Sequence, residues 1–149
     1  MRIIFMGSAE LAVQSLQAIL ENSCDEVIGV VSQPDRPAGR KRQLTPCPLK
    51  AFAEEKGLNV LTPEKIGEPE SVDSLTALKP DLFVVVAYGQ FIPSRVINLA
   101  PHEAINVHPS LLPKYRGSAP IQWAIANGDE LTGGRVFYLA TKIDQRDHP

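Results

Sequence analysis

Between Pro80 and Tyr88 the chain runs Asp-Leu-Phe-Val-Val-Val-Ala, apolar at six successive positions and rich in β-branched side chains. A strand with one wet face would alternate polar and apolar residues. One that is apolar throughout is covered on both sides, as in a parallel sheet flanked by helices. Residues 26–32 (EVIGVVS) repeat the pattern, and residues 2–6 are a shorter run ending at Gly7-Ser8. Parallel strands need long crossovers, and helical periodicity lies between the runs. Ala12, Leu16 and Ile19 mark one helix, residues 49–56 a second, and residues 70–79 a third that Pro80 closes. Residues 59–61 read as a short strand, 88–92 as a loop, and a helix is expected to begin near Pro93. Residues 104–108 are a further strand, Pro120 opens a helix ending at Asn127-Gly128, and residues 134–141 form a last strand. The expected fold is α/β, an open, doubly wound, mostly parallel sheet.

At 149 residues the chain suits one domain, which at this size buries roughly 70% of its unfolded surface. Hydrophobic residues are 44% and charged residues 21%, which excludes a disordered polymer. No apolar run approaches the ~20 residues of a bilayer crossing, so no membrane association is expected. The stretch at residues 3–6 is cut off too soon for a secretory signal, and a cytoplasmic location is expected. Cys24 and Cys47 have neither metal nor redox spacing, and no metal site is expected.

The net charge of −2 is unevenly spread. Residues 34–42 (PDRPAGRKR) set Arg36, Arg40, Lys41 and Arg42 against Asp35 alone, a local +3 that leaves −5 for the rest. They lie in residues 33–48, which hold four of the chain's 13 prolines and no periodicity. This segment reads as a loop, longer than a compact α/β unit needs.

Ligands of such sheets bind beyond the carboxyl ends of the strands. Residues 7–10, 87–92, 106–117 and the surroundings of Asp144 converge there. Gly7-Ser8-Ala9-Glu10 lacks G-x-G-x-x-G, which disfavours a nicotinamide or flavin enzyme and leaves either a tight strand-to-helix turn or a ligand loop. Asn106 and His108, two apart on a strand, share a face, whereas Ile105 and Val107 point the other way. An imidazole takes a proton from an amine near neutral pH, and an amide N–H donates to the oxyanion formed when that amine attacks a carbonyl. The pair therefore suits acyl transfer. Asp144 is a candidate partner for the imidazole, and spacing leaves Asp147, Asp129 and Asp81 open for the same role. Residues 110–117 (SLLPKYRG) present Lys114 and Arg116 either to an anion or to solvent. Ser110 and Cys47 lack the surroundings of a nucleophile.

The run 106–117 (NVHPSLLPKYRG) resembles the signature of the folate-dependent formyltransferases. MRIIFMGSAELAV, QPDRPAGRKRQLTP, VVVAYGQFIP and GSAPIQWAIANGD are similar to the branch that formylates methionyl-tRNA, and the likeness spans Met1 to about Thr132. The resemblance implies a Rossmann-like formyltransferase fold and 10-formyltetrahydrofolate as formyl donor. It implies Asn106, His108 and Asp144 as catalytic residues. A folate pocket would be formed by Ala87, Tyr88, Gly89, Gln90, Phe91, Ile92, Ser110, Leu111, Leu112 and Pro113. It further implies initiator methionyl-tRNA as partner, met by Arg36, Arg40, Lys41 and Arg42. A sugar-nucleotide or other amine acceptor, and an inactive folate- or RNA-binding remnant, are the alternatives.

Two positions depart from the family pattern. Gly134-Arg135 and Asp144-Gln145-Arg146-Asp147 stand where the family reads T-G-V-T and D-x-G-D. An arginine in place of the glycine would strain a positive φ, so Asp144 is not expected to reach His108 as it does in the family. The resemblance also implies that residues 1–149 are the N-terminal part of the catalytic domain, without the family's C-terminal β-barrel. A monomer is expected for the full-length form and self-association for a truncated chain.

Overall fold

The computed structural model describes residues 1–40, 42–117 and 119–139. Strands β1 (Arg2–Gly7) and β2 (Glu26–Val31) are joined by helix α1 (Glu10–Asn22). A hairpin, β3 (Arg36–Ala38) and β4 (Gln43–Thr45), precedes α2 (Pro48–Glu55), β5 (Val60–Leu61) and α3 (Pro69–Ala77). The second half is β6 (Leu82–Val86), the single turn α4 (Ser94–Ile97), β7 (Ala104–His108), α5 (Pro120–Ala126) and β8 (Arg135–Tyr138).

Six strands form one sheet in the order β5-β2-β1-β6-β7-β8. The first five are mutually parallel and β8 runs antiparallel to β7. The chain winds outward from β1 in one direction through β2 to β5, then returns and winds the other way through β6 and β7. The expected mostly parallel, doubly wound sheet is therefore present.

The pleat sorts each strand's side chains into two cores. Ile4, Met6, Phe83 and Val85 pack with Leu75 of α3 and with Val96 and Ile97 of α4. Ile3, Phe5, Val84 and Val86 pack on the opposite face with Ala12 and Leu16 of α1 and with Leu49 and Ala53 of α2. β6 is buried at all five positions, as its unbroken apolar run requires. β8 is exposed along its length, and Trp123 and Ile125 of α5 are also exposed. Among the described residues no helix is long and apolar enough to cross a membrane.

The reading of residues 33–48 as a loop is corrected by the hairpin within it. Arg36 pairs with Thr45, Pro37 with Leu44 and Ala38 with Gln43. Its strands are three residues each and exposed throughout, so no apolar alternation announces them. Pro37 is tolerated because each strand keeps a free edge. Gly39 and Arg42 adopt positive φ at the tip, where the Arg42 amide donates to the Gly39 carbonyl at 3.2 Å.

Gly7 closes β1 where it abuts β6. A Cβ there would lie 2.6 Å from both the Ala12 Cβ and the Val86 carbonyl oxygen. The tight turn thus needs glycine for space, since neither a central strand nor the first turn of α1 can yield cheaply. Gly7→Ala is expected to lower unfolding free energy by about 2–3 kcal/mol, the upper part of the usual range for overpacking. Urea denaturation followed by circular dichroism checks it, and an unchanged midpoint would show that the neighbours relax freely.

Candidate active site

Three segments leave the sheet side by side at its carboxyl edge: Ser8-Ala9 after β1, residues 87–92 after β6, and residues 109–117 after β7. β6 ends in a reversal at Ala87, whose φ is 48°, with Gly89 at 84°. The loop that follows is held by side chains. The Ser8 hydroxyl donates to the Ala87 carbonyl at 2.8 Å, and the Gln33 amide donates to the Tyr88 carbonyl at 2.9 Å. The Gln90 side chain donates to the Pro63 carbonyl at 3.1 Å and accepts from the Ile66 amide at 3.0 Å. Gln90 therefore has both ends of its amide committed to pinning the loop. Among the described residues the backbone groups of residues 89–92 have no protein partner.

Tyr88 is buried, and among the described residues its hydroxyl has no hydrogen-bond partner. Burial pushes its pKa well above the ordinary tyrosine value. It is therefore present only as a neutral phenol.

Asn106 and His108 lie on the same face of β7 as buried Ala104, while Ile105 and Val107 pack into the core on the other side. The two side chains open into a cavity of about 500 Å³ together with Val85 and all of residues 87–92. That volume lies within the range of small-molecule sites. The Asn106 side-chain amide has no protein partner among the described residues, so both its functions are available to a ligand.

His108 is oriented from behind. Its Nε2 lies 3.0 Å from the Tyr115 carbonyl oxygen. A carbonyl only accepts, so this bond assigns the proton to Nε2 and leaves the lone pair on Nδ1. Tyr115 turns that carbonyl toward the ring by adopting a φ of 56°. Its phenol donates to Asp129 at 2.9 Å and accepts from Asn127 at 3.1 Å, tying the loop to the end of α5.

The carboxylates left open by spacing now separate. Asp129 reaches Tyr115 and not His108. Asp81 precedes β6, at the opposite edge of the sheet, and accepts from the Arg2 amide at 2.7 Å. Asp144 and Asp147 lie outside the described residues.

Of the ten residues expected around folate, the six from Ala87 to Ile92 line the cavity, while Ser110, Leu111, Leu112 and Pro113 do not. The Ser110 amide folds back onto the His108 carbonyl at 2.9 Å, which buries its side chain and carries the next residues away. Pro109, Gly117, Ala119 and Pro120 line the cavity instead. They belong to the same proline- and glycine-bounded run, but spacing alone does not single them out.

Lys114 is drawn to Asp129 at 3.4 Å rather than left open to an anion. In the hairpin, Arg36 pairs with Glu64 at 3.0 Å and Asp35 with Lys50 at 2.7 Å. Arg40 and Arg42 are exposed at the tip, without an ion pair among the described residues, and Lys41 lies outside them. No group of three or more His, Cys, Asp or Glu side chains among the described residues could hold a metal ion.

The arrangement combines a proton acceptor and a neutral hydrogen-bond donor on one wall of a mostly apolar cavity. Residues 1–147 match the model of a family described as formyl transferase. The methionyl-tRNA formyltransferase of Limosilactobacillus fermentum is 49% identical over 97% of this chain and 46% of its own length. That of Geobacter sulfurreducens is 47% identical over 99% of this chain and 46% of its own length. The chain thus spans about half the length of the curated relatives it matches.

Among solved structures, glycinamide ribonucleotide transformylase 1 from Symbiobacterium toebii superposes with a TM-score of 0.72 at 22% identity. The match covers 96% of this chain and 68% of that one. A formyltetrahydrofolate deformylase from Pseudomonas syringae gives 0.70 at 20% identity, over 96% of this chain and 47% of that one. At these identities the two structures establish the shared fold. The match over residues 1–147 establishes more: the chain belongs to the formyl transferase family.

Proposed function

We propose that the chain forms the N-terminal part of a cytoplasmic enzyme that moves a formyl group from 10-formyltetrahydrofolate to the amino group of methionyl-tRNA. The observation that carries this reading is the meeting of Asn106 and His108 with residues 87–92 in one cavity. Backbone groups at residues 89–92 that have no partner among the described residues, beside the apolar walls of Val85 and Ile92, suit a flat ring whose edge carries donors and acceptors. The basic hairpin tip suits a polyanionic acceptor.

The chemistry is an acyl transfer. The amine nitrogen bonds to the formyl carbon while His108 Nδ1 takes the amine proton, and the carbonyl oxygen becomes an oxyanion. The Asn106 amide N–H donates to that oxyanion. The bond from the formyl carbon to folate N10 then breaks, and N10 leaves with the proton returned by the imidazolium. In the family pattern the carboxylate at the position of Asp144 supports the imidazole; with Arg146 in place of the family's glycine, no step is assigned to it here.

The test is formyl transfer by the protein that carries this chain, with methionyl-tRNA and an amino-sugar nucleotide as competing acceptors. Transfer to methionyl-tRNA is expected. Transfer only to the sugar nucleotide would move the chain to another branch, and folate binding without turnover would leave a remnant. Replacing Arg40 and Arg42 by alanine should weaken tRNA binding and reduce the log-log salt slope by about 0.7–0.9 for each phosphate that is no longer neutralised. An unaltered slope would return the hairpin tip to solvent.

A further inference from the structure

The hairpin β3–β4 contributes nothing to either core: all six of its strand residues are exposed. A two-stranded hairpin is marginal alone, and its own ladder cannot set its angle to the sheet. The hairpin runs into α2 through residues 46–47, and among the described residues the ion pairs that tie it to the body are at Asp35 and Arg36. The Arg36–Glu64 pair has side chains 61% and 67% exposed, a setting in which an ion pair contributes little. The Lys50–Asp35 pair differs, with side chains 17% and 33% exposed and a separation of 2.7 Å. Glu54, one turn along the helix, lies 3.8 Å from the same ammonium.

Lys50 stands on rigid ground. Its neighbours Leu49 and Ala53 are fully buried, and the Leu49 amide donates to the Ser8 carbonyl at 3.3 Å. Ser8 also holds the loop at residues 87–92. Two residues before Asp35, Gln33 is bonded to the Tyr88 carbonyl. The hairpin base is therefore fixed to the elements that frame the cavity, and through them Arg40 and Arg42 keep a defined position relative to it.

We propose that the Lys50–Asp35 pair positions the basic hairpin for its polyanionic acceptor, with Lys50 acting through Asp35 and touching neither nucleic acid nor folate. This rests on the reading that the hairpin tip meets RNA. The hydrogen bond to Asp35 also holds the Lys50 ammonium above its ordinary pKa, so Lys50 stays charged at neutral pH.

The experiment has two readouts on the protein that carries this chain. The first is the distance distribution between spin labels at Leu44→Cys in β4 and Glu10→Cys in α1, with Cys24 and Cys47 replaced by serine. The second is affinity for initiator tRNA and for 10-formyltetrahydrofolate. Lys50→Met should broaden the distribution and weaken tRNA binding about fivefold, the lower end of ordinary coupling between sites, with folate affinity unchanged. Asp35→Asn, which leaves α2 untouched, should do the same, and Lys50→Arg should keep both readouts near wild type. An unchanged distribution in Lys50→Met or Asp35→Asn overturns the proposal. If alanine at Arg40 and Arg42 leaves tRNA binding unaltered, the RNA reading falls separately, and the label distances alone decide whether the pair orients the hairpin.

Discussion

Replacement of His108 by alanine is expected to lower the rate of formyl transfer by about 100-fold or more, within the range contributed by a positioned general base. The loss should appear equally in kcat and kcat/KM, because the proton moves only as the new bond forms. Folate affinity should change little. The cavity loop is held by Ser8, Gln33 and Gln90, none of which hydrogen-bonds the imidazole. The Tyr115 loop keeps its bonds to Asp129 and Asn127 when the ring is gone. Single-turnover kinetics with a folate titration separate these effects. Wild-type turnover in His108→Ala would remove the histidine from the mechanism, and a fall confined to folate affinity would make it a binding residue.

What the sequence disclosed and what it withheld follow from the range of the interactions involved. β6 was legible because burial on both faces imposes a local pattern of consecutive apolar residues. The pairing of Asn106 with His108 was legible because a strand's two-residue period fixes which side chains share a face. The hairpin left no such trace, since its three-residue strands bury nothing and answer to no alternation. The partner of His108 was also hidden. A backbone carbonyl has no side-chain signal, and the positive φ that aims it falls on a tyrosine rather than a glycine. Charge was legible as a sum but not as a distribution. The cluster at residues 34–42 sums to +3, with Asp35 alone against four cations, yet the base of the hairpin is neutralised by Lys50 and Glu64, which lie elsewhere in the chain, and among the described residues its open charge is at the tip. Carboxylates behaved alike: Asp81 and Asp129 matched Asp144 by spacing, and only topology put one at the far edge of the sheet and the other on Tyr115.

Asn106 offers the sharper test of acyl transfer, because its role depends on which hydrogen-bonding groups it carries rather than on its bulk. Its side-chain amide has no protein partner among the described residues and faces the cavity beside His108. Asn106→Ala removes one donor to the developing oxyanion, a loss that typically costs about 10²–10³ in kcat. Asn106→Asp keeps the shape but puts a carboxylate, which only accepts, where negative charge gathers. It should be slower than the alanine variant, as it adds repulsion to the missing hydrogen bond. Asn106→Gln retains the donor on a longer arm and should fall between wild type and alanine, since a displaced donor no longer meets the oxyanion at bonding distance. Folate affinity should hold across the series, for the interaction is gained as the carbonyl carbon becomes tetrahedral. An aspartate variant faster than the alanine variant would mean that the position needs an acceptor. The asparagine would then be orienting the attacking amine, and the oxyanion would have to be met by another group in the cavity.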